Sequence, residues 1–166
     1  NETMAQAKIQ TTVVGSYPIP SWLPFARSIE AVRDATLAVL KTQENAGIDV
    51  ISDGELSRFD VNHPETNGMI DYFLRPMEGI DTQPAFQEIQ AFRQSDVGQY
   101  RKEPAAILRG PLGEGNLNLV RDWEFVRGLT NHRLKFTCTG PHMLAKVVVD
   151  QHYHDPAELA MAIAEV

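Results

Sequence analysis

Glu55 follows an extended-looking run, Ile48–Ser52, and the pair Asp53-Gly54, with Arg58 three residues on. A carboxylate at such a place can bind a substrate ammonium, hold a cationic neighbour or act as a base. The plainer reading is a loop glutamate paired with Arg58, and the spacing leaves both readings open. A second strand end carries Gly15 and Ser16 after the β-branched run Thr11–Val14, before Tyr17 and Pro18. A third carries Thr139, Gly140 and Pro141 with His142 adjacent, after Leu134–Thr139. Glycine there permits backbone angles other residues avoid, or close approach of a ligand. In parallel α/β folds ligands sit at the carboxyl ends of strands.

Other candidates are weaker. His152 and His154 follow the apolar run Val147–Val149, and alternation would put both imidazoles on one side, as a divalent metal wants. They also stand directly before a capped helix, and a polar loop is the favoured reading. Cys138 falls inside a strand-like run and reads as a buried small hydrophobe, not a nucleophile or ligand. Gly110, Gly113 and Gly115 lack the Lys-Ser/Thr or dinucleotide spacing of a phosphate loop.

The elements that would position these residues follow from pattern. Thr11–Val14 reads as a buried first strand. Trp22, in the proline-punctuated loop after it, is a pocket wall or a lid on the core. Ser28 caps a helix to about Ala46, with an inner stripe of Ile29, Val32, Thr36, Val39, Leu40 and Gln43, ended by Gly47. Ile48–Ser52 is the second strand. Strand, helix, strand makes a βαβ unit whose strands are parallel neighbours. Residues 56–104 are less regular: a long loop to Gly68, an apolar segment Met69–Phe73, a loop from Arg75 to Pro84, and short helix or strand over Phe86–Gln94. Phe59, Tyr72, Phe73 and Phe86 argue for packing there. Ala105–Arg109 is expected as a short strand turning at Gly110-Pro111, and Leu117–Leu129 as partly helical. Leu134–Thr139 is the next strand, and Met143–Val149 a helix or short strand. Asp155-Pro156 starts a helix with Leu159, Ala160, Ile163 and Val166 on one face.

The chain has 166 residues, 43% of them hydrophobic and 22% charged, enough for one domain with a real core. Its net charge of −7 argues against nucleic-acid or membrane-surface partners. One cysteine leaves no internal disulfide and fits a reducing, cytoplasmic setting. Residues 1–10 are expected to be a disordered or expression-derived start. The last helix reaches Val166 without a stop signal, so a further segment is expected after it.

Taken together, Val-Gly-Ser-Tyr-Pro (14–18), Gly-Ile-Asp-Val-Ile-Ser-Asp-Gly-Glu-Leu-Ser-Arg (47–58), Asn67–Phe73 and Thr-Gly-Pro (139–141) resemble the cobalamin-independent methionine synthases. More narrowly, they resemble the catalytic C-terminal barrel and its short single-barrel relatives. The resemblance implies an α/β fold, a partial (βα)8 TIM barrel of about the first three βα units, UROD/methionine-synthase-like, over 11–166. It implies an S-methyltransferase moving a methyl group from a methylated folate (5-methyltetrahydropteroyltri-L-glutamate type) to homocysteine. Zinc would hold the thiol as thiolate, with ligands expected after residue 166, so that this chain alone would be inactive. The implied partners are homocysteine or another small thiol such as coenzyme M, methylated folate and the remaining C-terminal half. Val14, Gly15 and Ser16 would contact the amino-acid part of the thiol substrate, Glu55 its ammonium, and Thr139, Gly140 and Pro141 the pocket wall. Arg58, Asn67 and His142 complete the expected substrate-binding set. A non-catalytic fragment without the metal half is the rival from another class.

Overall fold

A computed structural model describes residues 9–26, 28–96 and 101–166. Most of the expected disordered start, residues 1–8, lies outside the described residues. In chain order the elements are α1 (Leu23–Ala26), α2 (Ile29–Asn45), a 3-10 turn (Leu56–Arg58), α3 (Asp71–Leu74), β1 (Glu78–Asp81), α4 (Phe86–Arg93), β2 (Ala106–Gly113), α5 (Leu119–Arg127), α6 (Pro141–Lys146), β3 (Val148–Asp150) and α7 (Pro156–Glu165). This is an α/β chain. It forms two compact units, Asn1–Pro64 with Val120–Thr137, and Glu65–Leu119 with Cys138–Val166.

The first unit is built on α2. Ser28 caps it from an extended conformation, its Oγ accepting the Ala31 N–H at 3.1 Å. Val32, Ala35, Thr36, Val39, Leu40 and Gln43 form its buried stripe. Gly47 follows at φ +74, the left-handed ending expected of it. Ile29, expected on the stripe, is instead 66% exposed. It lines a cleft with Val32, Ser57, Phe59 and Phe125 that neighbouring side chains leave open. Gln43 is buried and satisfied: its amide donates to the Ser52 carbonyl at 2.7 Å and accepts the Ser52 N–H at 3.0 Å. A helix side chain thus takes the place of a ladder partner where the second extended segment ends.

Three extended segments run parallel, with the second in the middle. Thr12 bridges Val50, and Ile51 bridges Leu134. The βαβ reading holds in direction, but each contact is an isolated bridge and not a strand. Two expectations are corrected here. Thr11–Val14 is not buried, since Val14 is 86% exposed. The segment bridges Val50 on one side, and β-branched composition alone cannot bury an edge. Leu134–Thr139 keeps one bridged residue, and Cys138 is exposed. Trp22 is 48% exposed, so it does not seal a core.

The second unit holds a sheet in the order β1-β2-β3, with β1 antiparallel and β3 parallel to β2. Its core gathers Leu74, Leu108, Leu144, Leu159 and Ile163 from four different elements. The loop expected over residues 75–84 contains β1, and the turn expected at Gly110-Pro111 is absent because β2 runs through it. Both differences have one cause. A β-carbon on Gly79, at φ +81, would lie 2.6 Å from the Pro111 carbonyl oxygen. Without one, β1 settles onto β2 with a register shift between Glu78 and Ile80, and such an irregularity tolerates a proline in β2. Met143–Val149, expected as a helix or short strand, holds the end of α6 and then the start of β3. Phe73 is buried as expected, whereas Phe86, about a third of a turn round α4 from buried Phe92, is 73% exposed. Asp155 caps α7 through the N–H groups of Ala157 and Glu158 at 2.7 and 3.0 Å. Among the described residues no helix is long and apolar enough to cross a membrane.

Candidate functional site

In the first unit the site is built from the turn after the second extended segment. Asp53 is 1% exposed. Its Oδ1 accepts the Glu55 N–H at 3.1 Å, and its Oδ2 accepts the Ser57 hydroxyl at 2.5 Å and the Ser57 N–H at 3.3 Å. The carboxylate thereby clasps a turn in which Gly54 (φ +63) and Glu55 (φ +64) are both left-handed. A non-glycine residue in that region stores strain of order 1–3 kcal/mol and persists only where its surroundings hold it. The Gly54 carbonyl accepts the Tyr17 N–H at 2.8 Å, which ties the loop after the first extended segment to this turn.

That tie brings Ser16 to Glu55, its hydroxyl donating to Oε2 at 2.5 Å. The Thr137 hydroxyl donates to the other oxygen, Oε1, at 3.4 Å. Arg58 Nη1 lies 3.9 Å from the same Oε1. The Glu55 side chain is 17% exposed and that of Arg58 2%. Arg58 Nη2 donates to the Thr137 carbonyl and, at 3.3 Å, to its hydroxyl, and the guanidinium carbon lies 5.1 Å from the Phe136 ring centroid. Arg58, expected to bind substrate, is therefore buried beside Glu55, against Thr137 and Phe136. Gly15 takes φ +96, with open space where a β-carbon would be.

Asn67, Thr139, Gly140 and His142 belong to the second unit. Asn67 is a turn residue there: its Oδ1 accepts the N–H groups of Met69 at 2.8 Å and Ile70 at 3.2 Å. Thr139 Oγ1 donates to the Met69 carbonyl at 2.6 Å. Gly140 is the residue before α6. His142 lines an apolar cavity of about 480 Å³ with Phe92, Ala145 and Val148. Asn67 instead lines a separate cavity of about 640 Å³ with Met69, Met143 and Val147.

Sequence reasoning missed Thr137 and Phe136. The available signal was alternation, since Thr137 lies two residues before the singled-out Thr139 on an extended run. In the His-x-His segment, Asp150 Oδ1 accepts the N–H groups of His152 and Tyr153, both at 2.9 Å, as in a polar turn. Among the described residues no group of three or more His, Cys, Asp or Glu is gathered that could hold a metal ion. The described residues therefore offer zinc no set of ligands.

Charge elsewhere is structural. Arg109 joins Asp81 at 2.7 Å and Glu88 at 3.0 Å, and Gln151 bonds both Arg109 and Glu88. Hydrogen bonds from Arg109 hold both carboxylates below their ordinary values of 3.8 and 4.5. The Lys41 ammonium, then the Thr130 hydroxyl, do the same for Glu44. Depressed carboxylate values stabilise the fold above the unfolded-state values, and that contribution is lost as pH falls through the folded ones. The urea midpoint should therefore be level above about pH 5 and drop as pH falls below about 4. Arg109→Met should make the drop shallower. A midpoint that rises on acidification would contradict this.

A methionine synthase of Saccharolobus islandicus is 29% identical over 170 residues, covering 95% of this chain and 46% of the relative. The chain is similar to cobalamin-independent methionine synthases. Methionine synthases of Thermococcus kodakarensis and Sulfurisphaera tokodaii match at the same identity and coverage. A solved B12-independent methionine synthase from Shewanella sp. W3-18-1, in complex with selenomethionine, matches with a TM-score of 0.70 at 25% identity, covering 94% of this chain and 45% of that one. No family model matches. The chain spans a little under half the length of the curated relatives it matches.

Proposed function

We propose that this chain is the N-terminal half of a (βα)8-barrel S-methyltransferase that methylates the thiol of homocysteine to give methionine. The observation that carries the reading is Glu55. It is strained, partly open, and held by hydroxyls from the loop after the first segment, at Ser16, and from the third segment, at Thr137. A carboxylate so fixed offers a directed acceptor to an ammonium group. Parallel bridges among the three segments support the partial barrel, and the similarity to methionine synthases supports the reaction class. Val14 to Ser16 would meet the amino-acid part of the substrate. Zinc and its ligands belong to sequence other than these residues, and a methylated folate is the donor we favour. The location proposed is cytoplasmic. The reading is tested by incubating the full-length protein with 5-methyltetrahydropteroyltri-L-glutamate and either homocysteine or coenzyme M. Methionine formation with no coenzyme M methylation is expected. Methylation of coenzyme M in preference would overturn it.

A further inference from the structure

Glu55 is an incomplete receptor by itself. A free glutamate side chain rotates about three torsions, and an exposed carboxylate pairs with any cation that passes. Here each oxygen is held separately, Oε2 by the Ser16 hydroxyl at 2.5 Å and Oε1 by the Thr137 hydroxyl at 3.4 Å. Donors on both oxygens block rotation of the carboxylate plane. A carboxylate offers about four lone-pair sites, so the two hydroxyls leave acceptor capacity free.

Behind Oε1 stands Arg58. Its side chain is 2% exposed, against 17% for Glu55. The guanidinium is fixed by the Thr137 carbonyl and hydroxyl and by the Phe136 ring. At 3.9 Å from Oε1 it is close enough to attract the carboxylate, yet too far for a close bidentate pair that would consume the acceptor. Thr137 is the hinge of this arrangement. Its carbonyl and hydroxyl hold Arg58, and the same hydroxyl reaches Glu55.

From this geometry we infer that Arg58 and Thr137 are positioning residues which hold the Glu55 carboxylate in one orientation, and that this orientation makes the site prefer a thiol bearing an α-ammonium over the same thiol without one. The inference rests on the proposed role of Glu55 as ammonium receptor. It adds that selectivity resides in residues that act through Glu55 and not on the ligand itself. Both act through Glu55, which makes them positioning residues and not catalytic ones.

The test compares two ligands that differ by the amine alone, homocysteine and 4-mercaptobutyrate, titrated calorimetrically into the full-length protein. Wild type should prefer homocysteine by about 10- to 100-fold, the worth of one hydrogen bond to a charged group. Arg58→Lys should cut that preference to within about threefold by weakening homocysteine alone. Thr137→Val, which keeps the carbonyl and the side-chain shape, should reduce it by about three- to tenfold. Binding of 4-mercaptobutyrate should change less than about twofold in both variants. A purely structural role would weaken both ligands together, and that result would overturn the inference, as would an unchanged preference in both variants. If Arg58→Lys does not fold, Thr137→Val decides alone. The outcomes also separate the two levels of the account. Wild type without any preference defeats the ammonium-receptor reading itself. A preference abolished by Glu55→Gln but untouched by Thr137→Val and Arg58→Lys defeats the inference and leaves that reading standing.

Discussion

Gly54→Ala is expected to destabilise the protein by about 2–5 kcal/mol and to weaken homocysteine binding at the same time. Two effects add. Left-handed backbone costs an L-residue about 1–2 kcal/mol, and Gly54 sits at φ +63. Its β-carbon would also lie 2.5 Å from the Tyr17 β-carbon and 3.1 Å from Val39 Cγ1. Neither neighbour is the yielding end of a long side chain, and overpacking costs about 1–3 kcal/mol. The clash pushes on Tyr17, next to Ser16, so relief would come by moving the Ser16 hydroxyl away from Glu55. Gly110→Ala is the control, since nothing stands within 4 Å of its would-be β-carbon, and it should stay within about 0.5 kcal/mol of wild type. Urea unfolding of the three proteins measures this. A Gly54→Ala midpoint equal to that of Gly110→Ala would refute the tight apposition of the two loops.

Glu55→Gln should lower homocysteine affinity in the full-length protein by about 10- to 150-fold. Hydrogen bonds to charged groups are worth about 1.5–3 kcal/mol, and the amide keeps the shape while losing the charge. Glu55→Asp should fall between, because an acid one methylene shorter cannot keep the Ser16 contact without drawing back from a ligand. The expected pattern is a rise in KM for homocysteine larger than the fall in kcat, since the group binds the substrate at a distance from its thiol. Equal affinities for wild type and Glu55→Gln would leave Glu55 with a merely structural role.

What the sequence showed follows from where information is local. Helix α2 was legible because a serine cap, a 3.6-residue stripe and a closing glycine all sit within one window. The turn at Glu55 was legible because an acidic residue after a strand-like run and a glycine is a short pattern. The arrangement around it was not. Thr137 reaches Glu55 across 82 residues of sequence, and a threonine in an extended run carries no local mark of that contact. Arg58 could be paired with Glu55 from spacing, but its burial against Phe136 depends on the third segment. Strand β1 escaped notice because Gly79 looks like a loop residue until the Pro111 carbonyl is placed against it. In the extended runs burial misled at Val14 and Cys138, because composition suggests a strand while neighbours decide whether water is excluded.

The most direct test of the account is a crystal structure of the full-length protein with homocysteine bound. The ammonium nitrogen should lie about 3 Å from a Glu55 carboxylate oxygen, with Ser16 and Thr137 still on that carboxylate and Arg58 still behind it. An amino group turned to another acidic residue, with Glu55 bonded to protein groups only, would contradict the central claim.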